Sequence, residues 1–407
     1  MVRPRSLFGQ SPYHFQMDIA TPAVSSEAFD RLRALAQTAG PAAAADALID
    51  ELSDGRDPTA LFYAQLLKAR VEFGVSPFPS GSSSDVPAEY HERYESAIRE
   101  SARRVGTLLL DRGDIVKAWP FFKLIGETEP VKASIETYTP GEEDDVYPLI
   151  DVAWQQGVYP HKGFDLLLSR QGICSTITMV GSTNLSHSPE LRDYCIGKLV
   201  AALHEQLNER VRADLAQRGR PASPEAPLAS LLTDDLFADD AYHMDISHLQ
   251  SVVQMATQLS AGPTLDWARE LCEYGRKLSP NLKGHGGDPP FDESYDDYAA
   301  FLAILAGDNV EANLNRFRKK AATGTAVGMT YPAEVLVNLL VRIGREREAM
   351  NPLREFLKDA NPAEMSCPNL VDLARKTNDF DSVATAARDA GDAVTYLAGI
   401  IAGKKSQ

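Results

Sequence analysis

Two of the chain's eight histidines and one aspartate fall within six residues, at His243, Asp245 and His248. Imidazoles and carboxylates are the donors with which proteins hold Zn²⁺, Mn²⁺ or Fe²⁺. Two histidines and one carboxylate also leave coordination positions open for water or substrate. The stretch stands at the mouth of a helix. Leu249, Val252, Val253 and Ala256 follow the i, i+3, i+4, i+7 spacing of a buried helical stripe. Ser247, with Gln250 three residues on, reads as a capping box. That placement puts His243 and Asp245 in the entry loop and makes His248 the first helical residue. His14, His161 and His285 are the candidates for a further ligand. His14 enters because Tyr13-His14-Phe15-Gln16-Met17-Asp18 loosely echoes Tyr242-His243-Met244-Asp245. The competing reading has Asp245 capping the helix while the histidines bond to local backbone or sit at the surface.

A second group of chemistry-bearing residues is His161, Asp165 and Cys174. Cys174 leads a run of Ser175, Thr176 and Thr178 that is poor helix material, and His161 or His187 would serve as base to a nucleophile there. Small polar residues also let helices approach closely, which is the competing account. Glu127 and Glu129 stand beside Pro130 and read as solvated turn carboxylates rather than an acid/base pair. His204-Glu205 lacks a second histidine at the zincin spacing, and no GxxxxGK[ST] loop is present. The basic run Arg316-Phe-Arg-Lys-Lys320 reads as a solvated helix face.

The whole chain bounds what such sites could serve. It has 407 residues, 44% hydrophobic and 24% charged, with a formal net charge of −16. That composition belongs to a folded protein of two domains or of one elongated repeat array. The negative charge opposes nucleic-acid binding, which needs Lys and Arg against phosphates, and opposes anionic membrane surfaces. No apolar run approaches the length of a membrane span, and no signal peptide is visible. The four cysteines are scattered and form no CxxC, so a cytoplasmic location with free thiols is expected.

The elements that would position these residues are helices. After an irregular segment over residues 1–25, helical spacing begins and hardly stops. Phe29, Leu32, Leu35 and Ala36 form a first stripe; Ala45, Leu48, Ile49 and Leu52 form a second behind Pro41; a third helix runs from about Pro58 to Phe73. Further helices are expected at about 143–156, from Ser188 or Pro189 to about Arg218, at 248–260 and at 263–279.

The most regular unit runs from Ser101 to Pro130. Gly106 stands where paired helices would touch, and Gly113-Asp114 forms the turn between them. Ala118 and Phe122 are the small and aromatic residues of a second helix that Pro130 closes. This unit resembles a tetratricopeptide repeat, from which Pro120 departs. Weaker copies follow at Gly307-Asp308, Gly344-Arg345 and Asn378-Asp379, their turns 37 and 34 residues apart, with Pro352 interrupting one. The resemblance covers roughly 101–130 and 295–405. It implies an all-α fold of antiparallel helix pairs, a TPR-like α-solenoid or α/α superhelix, with long irregular loops in the middle. The expected division is a helical domain over 26–218 with one TPR-like unit, a Gly/Pro-rich linker over 219–227, and a C-terminal helical-repeat domain over 228–407.

Two functions are compatible with this reading. One is a metal-dependent enzyme on a helical-repeat scaffold, acting on a small molecule at a site built from the middle-region loops. The other is a non-enzymatic scaffold that holds a peptide or protein on its concave face. The concentration of His, Asp, Cys and Gly in the middle loops favours the enzyme.

Overall fold

A computed structural model describes residues 25–53, 56–79, 85–283 and 286–404. Among them every regular element is helical and no strand occurs. The chain divides into two compact units, residues 1–170 and 171–407.

The first unit holds α1 (Ser26–Thr38), α2 (Pro41–Leu52), α3 (Pro58–Glu72), α4 (His91–Asp111), α5 (Ile115–Ile125), α6 (Glu129–Thr137), α7 (Tyr147–Ile150) and the opening of α8 (Pro160–Ser182). Each of α1 to α5 packs on its neighbour in the chain. The apolar face of α1 is rotated from expectation. Ala28 is buried and Leu32 and Leu35 are half-buried, whereas Phe29 is 62% exposed. A π-helical turn, Asp151–Gln155, extends the single turn of α7, where one longer helix is expected.

The α4–α5 hairpin shows why Gly106 is glycine. A Cβ there would lie 2.6 Å from the fully buried Phe122 ring, so only a bare backbone lets the helices come this close. Gly113 turns the chain with φ +81°, and the Asp114 N–H closes the helix on the Leu109 carbonyl at 2.9 Å. This is the Schellman closure, which satisfies a helix-end carbonyl through a left-handed residue. The same closure recurs at Asp308 N–H to Ala303 O (2.8 Å), Arg345 N–H to Leu340 O (2.9 Å) and Asp379 N–H to Ala374 O (3.2 Å). The left-handed residues at these turns are Gly307, Gly344 and Asn378. Pro120 sits inside α5 without ending it. Pro352 likewise lies inside α16 (Glu346–Phe356) and does not interrupt it.

The second unit begins inside α8, which is broken at Gly172 (φ 75°, ψ −179°). Residues 173–182, expected to be poor helix, are helical. Their hydroxyls fold onto the helix's own carbonyls, Thr176 onto Gly172 (2.9 Å) and Thr178 onto Cys174 (3.1 Å), so they carry their polar groups without leaving the helix. Then come α9 (Pro189–Gln217), α10 (Leu228–Leu231), α11 (Ile246–Ala256), α12 (Pro263–Lys277), α13 (Tyr295–Leu305), α14 (Val310–Ala326) and α15 (Tyr331–Arg342). After α16 follow α17 (Leu370–Thr377), α18 (Phe380–Asp389) and α19 (Ala393–Lys404). Helix α9 packs on both α11 and α12, and from α12 onward each helix packs on the next. The stretch 219–227 lies within this unit, where Arg212 donates to the carbonyls of Ser223 (2.7 Å) and Ala226 (2.6 Å).

The core from α13 to α18 centres on Phe301, Phe317, Leu336, Leu340, Met350 and Leu373. A buried charge cluster joins α13 to α14 beside it. Asp297 has no exposed surface and accepts from Arg316 Nε (2.6 Å), Lys320 Nζ (2.7 Å) and the Glu293 N–H (2.7 Å). The basic run at 316–320 is therefore no simple solvated face, since two of its cations turn inward onto a carboxylate. Among the described residues no helix is long and apolar enough to cross a membrane.

Candidate functional site

The entry to α11 carries the first expected site. Asp239 and Asp240 both take left-handed backbone (φ 54° and 57°) and turn the chain into Ala241–Met244. Asp245, not Ser247, is the N-cap. Its Oδ1 accepts from the backbone of Ser247 (2.8 Å) and His248 (3.1 Å) and from the Ser247 hydroxyl (2.6 Å). These bonds hold its carboxyl below the ordinary aspartate range, the Ser247 hydroxyl acting most strongly. The helix consequently starts at Ile246, two residues before the expected first residue His248, which is its third residue.

His243 points the other way. Its ring sits between two elements, with Nε2 3.1 Å from Asp214 Oδ2 on α9 and Nδ1 3.3 Å from the Tyr274 hydroxyl on α12. The same hydroxyl accepts the His243 backbone N–H at 2.6 Å, and Arg210 donates to the His243 carbonyl at 3.2 Å. Both ring nitrogens are thus engaged, and the side chain is only 7% exposed. Burial pushes the Tyr274 phenol up to about 12, against the smaller effects of the His243 N–H and Arg210. Arg218 Nε, 2.9 Å from Asp214, is the main cause of that carboxyl's lowered pKa, with His243 adding to it. The arrangement is a satisfied polar bolt that ties the 241–245 loop to two helices.

His243 and Asp245 therefore face different partners. Among the described residues no group of three or more His, Cys, Asp or Glu side chains stands where it could hold a metal ion. His14 and His285 lie outside the described residues.

The second expected group is split. His161 and Asp165 stand in the first turns of α8 in the first unit, with the His161 ring 6.4 Å from that of Tyr159. Cys174, beyond Gly172, belongs to the second unit and is exposed, as is His187. Glu127 is ion-paired to Arg103 at 2.5 Å across the α4–α5 hairpin, and this pairing lowers its pKa.

Two other groups are assembled by the fold without a ligand motif of their own. His204 on α9 meets Glu270 on α12 at 2.6 Å and stacks on Trp267, with ring centroids 5.6 Å apart. These partners lie 66 residues apart, and no local signal joins them. The other group is a recess of about 620 Å³ at the turns after α13 and α15, where they meet the segment after α11. Leu259, Ile304 and Val310 give it an apolar floor, and Arg192, Arg342 and Arg345 rim it. Arg345 is paired with Glu311 and, at 3.3 Å, with Glu348. Arg192 meets Asp193 at 3.1 Å, and Asp193 in turn accepts from Ser260 at 2.7 Å. Arg342 donates to carbonyls instead, those of Thr257 and Leu259 (2.6 Å). Its guanidinium carbon lies 5.8 Å from the Phe301 ring centroid. Its pKa is lowered, first by the surrounding protein and then by the charge of Arg192, while Asp193 acts the other way. The signal for this recess was present in Arg342-Ile343-Gly344-Arg345, two arginines flanking a turn glycine, but it spoke only of the turn.

Comparison with protein-family models, with curated proteins and with solved structures finds no match.

Proposed function

We propose that the chain is a helical-repeat binding scaffold that holds an extended segment of a partner protein, rather than a metal-dependent enzyme. The observation that carries this reading is the recess between the turns after α13 and α15. It combines an apolar floor with arginines on its rim. That mixture suits side chains of a peptide, where apolar area supplies affinity and a few charges fix register. The TPR-like pattern over 101–130 and 295–405 supports it, because stacked helix pairs build extended binding surfaces. The engaged nitrogens of His243 and the capping role of Asp245 support it too, since residues already satisfied within the fold are poorly placed to turn over a substrate.

A selection of displayed random peptides on the full chain tests the proposal. Enrichment of a consensus that binds in solution is expected. Failure of any peptide to enrich above a blank surface, alongside zinc, manganese or iron retained stoichiometrically by purified protein, would return the lead to the enzyme reading.

A further inference from the structure

The recess rim is basic on a chain whose formal net charge is −16. Its arginines are not equivalent. Arg192 and Arg345 each have a carboxylate within ion-pair distance. Among the described residues Arg342 has two carbonyls as its hydrogen-bond acceptors and no such carboxylate. Carbonyls satisfy N–H groups but supply no net negative charge, so the cation is oriented without being neutralised. Its nearness to Arg192 adds repulsion, and both penalties would be relieved by one anion at the rim. The floor beneath is apolar, with Leu259 at 3% and Ile304 at 1% exposure, and the Ser260 hydroxyl beside it is already bonded to Asp193.

We propose that this recess recognises an acidic peptide segment, with an Asp or Glu carboxylate paired to Arg342 and an adjacent aliphatic or aromatic side chain seated on Leu259, Ile304 and Val310. The inference rests on the scaffold reading and names its partner's chemistry. Arg342 is held from below by the Thr257 and Leu259 carbonyls. A planar guanidinium fixed in this way is preorganised for a carboxylate, which lowers the ordering cost of binding. Arg192 stands on the same rim and offsets the charge of Asp193 there, which would otherwise repel an incoming carboxylate.

The test is an array of immobilised peptides Ser-Gly-X-Z-Gly-Ser, amidated at the C-terminus. X is Asp, Glu, Asn, Gln or Lys, and Z is Leu, Phe or Ser. The array is probed with the full chain and with Arg342→Gln and Arg192→Gln. Wild type should favour Asp or Glu over the matching amide by about tenfold when Z is Leu or Phe, the scale of one charge-assisted hydrogen bond. Arg342→Gln should abolish that preference. Arg192→Gln, which leaves the Thr257 and Leu259 contacts in place, should reduce it at unchanged melting temperature. Equal binding of acids and amides by wild type, or an acidic preference that survives both substitutions, would overturn the inference. Stabilisation by orthophosphate without discrimination among the peptides would overturn it as well. If peptides selected from a random library still bind Arg342→Gln as well as wild type, this inference fails and the scaffold reading stands. If no peptide binds either protein, both fail.

Discussion

Replacing Asp297 with alanine probes the frame that holds the recess, because α13 and α14 supply Ile304 and Val310 to its floor. The carboxylate is wholly buried and accepts from Arg316 Nε at 2.6 Å, Lys320 Nζ at 2.7 Å and the Glu293 N–H at 2.7 Å. Removing one member of a buried ion pair costs about 3–5 kcal/mol, chiefly because the remaining charge is left without compensation. Here the cations keep other carboxylates, Glu293 for Arg316 (2.7 Å) and Asp292 for Lys320 (2.5 Å). Those partners are roughly half exposed, at 57% and 46%, and pairs in such positions contribute only about 0–1 kcal/mol each. The expected loss is therefore near the lower end, about 3 kcal/mol, with Asp297→Asn milder because its amide oxygen still accepts one bond. Urea unfolding followed by far-UV circular dichroism measures both, the second unit's transition moving to lower urea. A loss under about 1 kcal/mol for Asp297→Ala would refute the argument that the buried carboxylate, and not the surface ones, compensates Arg316 and Lys320.

The cap on α11 gives a second expectation. Asp245→Asn should be nearly silent at neutral pH and Asp245→Ala should cost about 1 kcal/mol, since Asn caps about as well as Asp. Because hydrogen bonds hold the folded Asp245 pKa below its unfolded value of about 3.9, its charge contributes stability above that pH and loses it as pH falls through the folded pKa. The Asp245→Asn melting curve against pH should lack that acidic component, and identical curves would contradict the assignment. In the first unit, Gly106→Leu should destabilise by about 1–3 kcal/mol through overpacking against Phe122. Gly113→Val should destabilise because a β-branched residue resists φ +81°. Unchanged melting of both variants would remove the close α4–α5 approach from the account.

Much of the fold was legible because it depends on local rules. The span of α9 follows from Pro189 at its first turn and the glycine after its end. The turns at Gly113, Gly307 and Gly344 were readable because only a left-handed residue completes those closures. What was missed depended on tertiary choice. Asp245 and Ser247 are both good caps, and the sequence cannot say which side chain reaches the free N–H groups. Phe29 sits next to Ala28, and a shift of one residue decides which faces inward. His243 draws notice in the sequence for its chemistry, but its partners Asp214 and Tyr274 lie 29 and 31 residues away, and no local pattern announces them. Arg342 stands in a turn motif that says nothing of its neighbours. Its interest arises only because the fold gives it carbonyls for neighbours while Arg345, three residues on, receives carboxylates.

Hydrogen–deuterium exchange of the full chain, with and without a peptide enriched by selection, tests the central claim most directly. The scaffold account predicts slowed exchange concentrated at residues 257–261, 304–310 and 342–345, the segments that line the recess, with little change around His243. Protection confined to 241–248, or no protection anywhere at saturating peptide, would contradict it.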